Sequence, residues 1–594
     1  MLFEEDKNSK WTLLTQVKRP SRYLGMEWGS LPAKDEGANL VRFCLAFPDV
    51  YEVGMSYLGF QILYDLIKKL PFADVERAYC PWIDMEEQMR SNHTPLWGLE
   101  SGRPLSDFDV VGFTLQYELT STNILTMLDL GGIPLRSADR GEGSPLIFAG
   151  GPGALAPEPL APFIDVFCVG DGEVLLPGAL ELLSEMKGSS RRERLKALAA
   201  LPGFYVPECP SAEVVKRQII SDPDTSFLHT RMIVPNTSIV HDRVAVQVFR
   251  GCARGCRFCQ AGMTERPMRE RSADSVIAQI DALLQYSGLD EVGLLSLATC
   301  DWSQLETVIK KLSPMLSERK IKLSLPSLRM DSFSVELAAG LEPLRRGGLT
   351  FAPEAGSARL RNVINKGVSE EDIDASLDAT FRHGWDRVKL YFMMGLPTET
   401  DEDLKGILEI INRASVAARR YKRKGDIAVS LAGYVPKAHT PFQWEPQLDR
   451  ASLRERGRWV KGQIKSRKVA LSYHEPDQTF LEGVFARGDR KLADVIEEAW
   501  RRGARFDGWS DTFDLGRWLS AFESVGIDPT FYTERRRDLD EALPWDHVDS
   551  GVTKVFLRKE LERALSLTST PECRLACSAC GWQGAGCSIQ QRGV

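Results

Sequence analysis

Short apolar runs alternate along this chain with stretches whose apolar residues recur every three or four positions. Val41-Arg42-Phe43-Cys44-Leu45-Ala46-Phe47-Pro48 reads as a strand ending in a turn, and Tyr57 to Ile67 as an amphipathic helix. Asp109 to Thr114 is a second strand, followed by a helix over Ser121 to Leu130. Pro145 to Pro152 is a strand entering a glycine turn. Asp165 to Glu173 is a strand and turn leading into a helix from Val174 to Glu185. Strands that alternate with helices predict an α/β domain with a parallel, doubly wound Rossmann-like sheet over residues 1–200.

After a bridge over 201–243, the alternation resumes. Strands are predicted at Val244 to Phe249, Glu291 to Ala298, Lys322 to Arg329, Gly348 to Glu354, Arg387 to Gly395 and Ile427 to Tyr434, with helices such as Ser275 to Tyr286 and Trp302 to Leu312 between them. Six strand–helix repeats over 244–445 predict a partial (β/α)6 barrel of the TIM type, whose site lies at the strands' carboxyl ends. Residues 446–570 read as a mixed, mainly helical extension, and 571–594 as a Cys-rich tail. Arg419 to Lys424 and Ala451 to Lys468 are basic. A solvated face is their ordinary reading, and RNA contact the alternative. The segment is rich in tryptophan (Trp500, Trp509, Trp518 and Trp545), and its turns at Phe485 to Arg490 and Leu543 to Asp546 are expected to pack over the barrel mouth; their Arg, Asp and Trp side chains fit structural packing first and a substrate pocket second.

Composition adds boundaries. A chain of 594 residues exceeds one core, and its 43% hydrophobic and 26% charged residues are ordinary for a soluble protein. No apolar run reaches the roughly 18 residues of a membrane span. The start, Met1-Leu2-Phe3-Glu4-Glu5-Asp6-Lys7, lacks the basic-then-apolar order of a secretory signal, so a cytoplasmic location with no membrane partner is expected. The net charge of −7 does not advertise bulk nucleic-acid binding. Twelve cysteines fall into two clusters plus Cys44, Cys80, Cys168, Cys209 and Cys300. Clustering of this kind points to metal or iron–sulfur sites rather than a disulfide scaffold. The scattered five read as small buried hydrophobes.

The first cluster, Cys252-Ala253-Arg254-Gly255-Cys256-Arg257-Phe258-Cys259, puts three thiols on one short loop after a strand. Three thiolates on a four-iron cube leave one iron open to a small molecule. A zinc knuckle needs a fourth ligand nearby, and none follows before Cys300. With Phe258 ahead of the last cysteine, the triplet resembles the signature of the radical S-adenosylmethionine (SAM) superfamily. That resemblance implies a [4Fe-4S] cluster on Cys252, Cys256 and Cys259. It also implies SAM on the open iron, and cleavage of SAM to a 5'-deoxyadenosyl radical that abstracts hydrogen. An external reductant such as ferredoxin or flavodoxin would supply the electron.

Other stretches resemble the family in the right order. Ser296-Leu297-Ala298 stands where a Gly-Gly-Glu motif holds the SAM amino group, and departs from it, which leaves Ser296 and the local backbone. Glu354 resembles the acid after strand four that meets the ribose or the substrate. Gly395-Leu396-Pro397-Thr398-Glu399-Thr400 resembles a Gly-Leu-Pro-Gly-Glu-Thr turn. Val435 and Pro436 resemble the turn near adenine. Gly150-Gly151-Pro152 and Gly170-Asp171-Gly172-Glu173 resemble a cobalamin-binding-like domain. The Asp-x-His-x-x-Gly cobalt loop is missing, and the only histidine there, His93, is in another context, so cobalamin without a histidine ligand stands beside a degenerate domain that recognises substrate or partner. Gly151-Pro152-Gly153-Ala154-Leu155-Ala156 meets a dinucleotide pattern formally, but Pro157, Pro159 and Pro162 forbid the helix that this pattern needs.

The tail repeats the chemistry. Cys573, Cys577, Cys580 and Cys587 can close all four positions of a second iron–sulfur cluster or a zinc site. Taken together, these features predict a radical SAM enzyme performing methyl or methylthio transfer on a small molecule, peptide or RNA. The alternative is a non-catalytic iron–sulfur electron-transfer or binding protein.

Overall fold

The computed structural model describes residues 6–34, 37, 39–210, 213–325, 328–332, 348–582 and 587. Strands β1 (Val41–Phe47), β2 (Ala73–Tyr79), β3 (Val110–Thr114), β4 (Leu146–Gly150) and β5 (Val166–Cys168) form a parallel sheet in the order β2-β1-β3-β4-β5. β6 (Phe204–Tyr205) adds antiparallel to β5. Helices cover both faces. Phe43, Val110 and Phe148 pack against helices Leu58–Lys69 and Gly172–Glu185, while Cys44, Val111 and Ile147 pack against Ser121–Leu130. This is the doubly wound sheet expected. Its order reverses between β1 and β3, where such sheets leave a crevice outside their carboxyl ends. After β4 the chain makes two 3-10 turns, Pro152–Leu155 and Glu158–Leu160, as its prolines require.

β2 was not anticipated, because it carries three charges, Asp74, Glu76 and Arg77, all of them buried. Lys68 holds Asp74 at 2.7 Å, and Arg77 is clasped by Glu27 at 2.6 Å and Glu100 at 2.7 Å. The partners that make this strand buriable lie elsewhere in the sequence.

β7 (Val215–Lys216) belongs to the bridge. The barrel then follows with β8 (Val244–Gln247), β9 (Phe249–Arg250), β10 (Arg269–Glu270), β11 (Glu291–Leu295), β12 (Lys322–Ser324), β13 (Leu349–Glu354), β14 (Arg387–Met394), β15 (Asp426–Gly433) and β16 (Val469–Tyr473). Two parallel sheets, β12-β11-β8 and β13-β14-β15-β16, are joined by a parallel bridge from Leu328 to Phe351. The six expected strands are present, although Pro326 and Ser327 of the third prediction lie outside the described residues. β16 is a further strand, within the segment read as mainly helical; it pairs with β15 over Val469 to Tyr473. Its short alternation is easily lost behind the basic helix Arg450–Gln463. In β14, Val388, Leu390, Phe392 and Met394 are buried beneath the surrounding helices, and Lys389, Tyr391 and Met393 face the half-open interior.

Of the two turns expected at the barrel mouth, Leu543 to Asp546 packs against the barrel loops, whereas Phe485 packs toward the N-terminal domain. Helices Pro476–Ala486, Leu492–Arg501 and Leu515–Val525 pack on the N-terminal domain. There the Trp500 indole donates to Thr126 Oγ1 at 3.0 Å, and buried Asp507 accepts from Thr122 at 2.7 Å and Trp518 at 2.8 Å. Trp545 alone of the four reaches the barrel loops, donating to Gln443 at 2.8 Å. β17 (Val548–Asp549) returns to pair with β7. Among the described residues no helix is long and apolar enough to cross a membrane.

One histidine locks the two domains together. His439, buried after β15, donates from Nε2 to the carbonyl of Leu155 at 2.9 Å. Burial holds its pKa down at about 4.

Replacing Arg77 with Met leaves Glu27 and Glu100 buried without their cationic partner and is expected to destabilise the N-terminal domain by about 3–5 kcal/mol in urea unfolding. The His439 pKa lies below its unfolded value near 6.5. The stability linked to it is therefore intact above about pH 6.5 and lost as pH falls toward 4. Unfolding at pH 7.5 and 5 should differ by about 2 kcal/mol from this group, a difference absent in His439→Gln.

Candidate active site

The cysteine loop is a closed excursion from a two-residue ribbon. β9 pairs antiparallel with β10, so both ends of segment 251–268 are clamped at one place. Two glycines permit the turns. Gly251 has φ +83° and a Cβ there would lie 2.2 Å from the Pro267 carbonyl oxygen; Gly255 has φ +80°. Cys259 ends the loop as the cap of helix Gln260–Thr264.

Each thiol of the triplet meets a donor. The Arg254 amide donates to Cys252 Sγ at 3.5 Å and the Gly262 amide to Cys259 Sγ at 3.3 Å. Arg329 Nη1 reaches Cys256 Sγ at 3.8 Å. Burial, with the charge of Cys256, pushes the Cys252 thiol up, and burial lifts Cys259 to about 12. A bound metal makes such thiols thiolates outright. Among the described residues no group of three or more His, Cys, Asp and Glu side chains is arranged to hold a metal ion. A four-iron cube spaces its sulfur ligands more widely than a single ion does. The amide and guanidinium donors around the three sulfurs fit such an anionic cluster.

Sequence reading missed the cations around this loop. Arg329, at the end of the third predicted strand, also binds the Lys366 carbonyl and Asp331. Lys366 in turn bonds Glu354 at 3.1 Å and lies close enough to Cys259 to act on its charge. Arg254 is tied to Asp301, to Asp331 at 2.7 Å and to Glu572 at 3.0 Å. A position at a strand's carboxyl end was the available signal for Arg329; nothing local marks Lys366.

The other expected cofactor residues keep to the carboxyl edge of the barrel. Ser296 bonds Thr299 at 2.9 Å. The nearby acid, Asp301, is taken by Arg254. Glu354 ends β13 with φ +69°. In the turn after β14, Gly395 has φ +82° and donates its amide to Glu399 at 2.9 Å, and Pro397 is buried. Thr398 takes φ +67°, a conformation that favours glycine, and is steadied by Arg359, which donates to its carbonyl at 2.8 Å. Val435 is half-buried and Pro436 buried after β15. Phe258 is half-buried against the apolar cluster that also holds Trp444 and Phe556. Cys300, also half-buried, packs on the barrel core. In the tail, Cys577 is exposed, whereas Cys573, Cys580 and Cys587 are half-buried.

A cavity of about 660 Å³ opens between the two domains. Gly112, Gly150 and Gly172 line it from the N-terminal sheet; Gln247, Gly251 and Ser296 line it from the barrel. Glu265 faces it, its carboxyl pushed up by burial, with Arg217 at 3.6 Å. His93 is not among the lining residues.

The chain is 24% identical over 484 residues to an uncharacterised protein of Methanocaldococcus jannaschii, covering 81% of this chain and 97% of that protein. It is 23% identical to the ribosomal protein uS12 methylthiotransferase RimO of Desulfotalea psychrophila, over 38% of this chain and 51% of that one. Among solved structures, the cobalamin-dependent S-adenosylmethionine radical enzyme OxsB matches with a TM-score of 0.48 and 15% identity, covering 89% of this chain and 79% of that one. The family model for the N-terminal region of radical SAM proteins matches residues 59–207, and that of the radical SAM superfamily matches residues 246–411, which include the cysteine loop and β9 through β14. The chain therefore belongs to the radical SAM superfamily, whose enzymes use a [4Fe-4S] cluster and S-adenosylmethionine.

Proposed function

We propose that this enzyme transfers a methyl or methylthio group to its substrate inside the cavity between the two domains, with cobalamin, not ligated by histidine, held against the N-terminal sheet. The observation that carries this reading is the cavity itself. It touches both the loop that bears the cysteines and the carboxyl ends of β3 and β4, so chemistry begun at one wall is within reach of a group held by the other. Glycines at 112, 150, 151, 170 and 172 leave room along the N-terminal wall, beside apolar side chains such as Phe43, Leu45, Ile62 and Phe148. The name of the relative RimO supports methylthio transfer as the chemical neighbourhood.

In this reading Cys252, Cys256 and Cys259 hold the cluster, whose chemistry when bound is one-electron cleavage of SAM. Phe258, Ser296, Glu354, Gly395, Pro397, Val435 and Pro436 place SAM along the barrel edge. Arg329 and Lys366 offset the negative charge of the cluster and orient Glu354. Glu265, its carboxyl pushed up by burial, is suited to hold or release a proton at the cavity wall. A small electron carrier such as ferredoxin or flavodoxin supplies the electron. The basic helix Arg450–Gln463 leaves Arg458 and Lys461 exposed, which keeps RNA among the substrate classes beside peptides and small molecules.

Anaerobically reconstituted protein with dithionite should convert SAM to 5'-deoxyadenosine, followed by mass spectrometry, and Cys256→Ala should lower that rate at least about a hundredfold. Absence of SAM cleavage in the iron-loaded wild type overturns the reading. The same protein should retain about one equivalent of cobalamin through gel filtration. Gly150→Leu fills the cavity wall without a backbone clash, because a Cβ there lies 3.6 Å from Cys168. This variant should lose cobalamin while cleaving SAM.

A further inference from the structure

The tail is not an appendage. The amide of Cys573 donates to the carbonyl of Ala253, inside the cysteine loop, at 2.8 Å. Glu572 pairs with Arg254 at 3.0 Å, and Arg574 donates to the carbonyl of Asp301 at 2.8 Å. On the other side, Thr553 donates its amide to the Cys580 carbonyl at 2.9 Å, and Thr570 exchanges hydrogen bonds with Asn365, which also bonds Gly255. Two groups of cysteines, far apart in sequence, are knit into one body.

Arg266 stands between them. Arg266 is 5% exposed, lies over the Phe556 ring at 5.3 Å, and donates from Nε to the Gly262 carbonyl at 3.2 Å. Its guanidinium is within hydrogen-bonding reach of Cys580 and electrostatic reach of Cys573 and Cys252. Its Nη1 is buried and finds no hydrogen-bond acceptor. A buried donor left unpaired is costly, so such a group is retained where an acceptor is to be supplied. The surroundings offer sulfur on two sides. Cys587 lies within electrostatic reach of Cys573 as well.

We propose that Cys573, Cys577, Cys580 and Cys587 hold a second iron–sulfur cluster, and that Arg266, donating to the sulfurs of both clusters, sets the reduction potential of the SAM-cleaving one. The proposal rests on the reading that Cys252, Cys256 and Cys259 hold the first cluster. A zinc ion offers only its own thiolates, whereas a cluster adds inorganic sulfide, the acceptor that a guanidinium fork between two centres can use from both sides. Hydrogen bonds and positive charge at the sulfurs favour the reduced form and raise the potential.

The test uses the full chain, purified anaerobically in two variants. One replaces Cys252, Cys256 and Cys259 by Ala; the other replaces the four tail cysteines by Ser. The first is expected to keep about four irons with matching sulfide per chain, and the second to keep the EPR signal that SAM perturbs. A loop variant that holds zinc in place of iron, or no metal, overturns the second cluster; a tail variant without the SAM-sensitive signal overturns the reading of the first. In wild-type loop and tail, Arg266→Gln should move the midpoint of the SAM-sensitive signal to more negative potential in an EPR redox titration. Arg266→Lys, which keeps the charge and loses the fork, should move it less. An unchanged midpoint in both variants overturns the role of Arg266.

Discussion

A charge exchange between two edges holds the functional arrangement together. Arg250, the last residue before the cysteine loop, meets Asp171 at 3.2 Å and is also bound by Glu173; Asp171 further engages Arg269 at 3.4 Å and accepts the Ile220 amide at 2.8 Å. The acids hang from the turn after β5 and the arginines from the ribbon that clamps the loop. Both are mostly removed from water, so neither side is comfortable without the other. The cavity exists because this joint sets the two parallel sheets with their carboxyl ends facing.

Parallel topology explains why so much chemistry converges. Every β–α unit delivers its loop to the same edge, and the two sheets contribute such an edge each. The N-terminal wall brings glycine backbone and apolar side chains, among them Phe43, Leu45, Ile62 and Phe148. The barrel wall brings charge. Arg266, Arg329 and Lys366 all stand close to sulfur, in a chain whose net charge is −7. Local electrostatics at the site thus oppose the global balance, as an anionic cluster needs.

Much of this was legible from residues alone. The Cys-x3-Cys-x2-Cys spacing, the six strand–helix repeats and the order of strand-end turns identified the barrel and its reactive edge. The Gly-Asp-Gly-Glu stretch at 170–173 was read as a cofactor signature, and its acids prove to make the interdomain joint. What escaped notice depends on distant partners. β2 looks too charged for a strand until Lys68, Glu27 and Glu100 are in place. β16 completes the barrel from beyond a composition break. Thr398 stands where the family turn has glycine, and only the backbone angle and the Arg359 contact explain how it is accommodated. Contact between the two cysteine groups has no trace in spacing, because roughly three hundred residues separate them.

That separation bears on biosynthesis. The cysteine loop leaves the ribosome long before Glu572 and Cys573 exist to close over Ala253 and Arg254. A nascent barrel therefore presents its thiols openly for a period set by the time needed to translate the extension. Docking of the tail then adds the Cys573 and Glu572 contacts to this side of the loop. The order in which the polypeptide is made becomes an order of assembly, with the final segment serving as the seal.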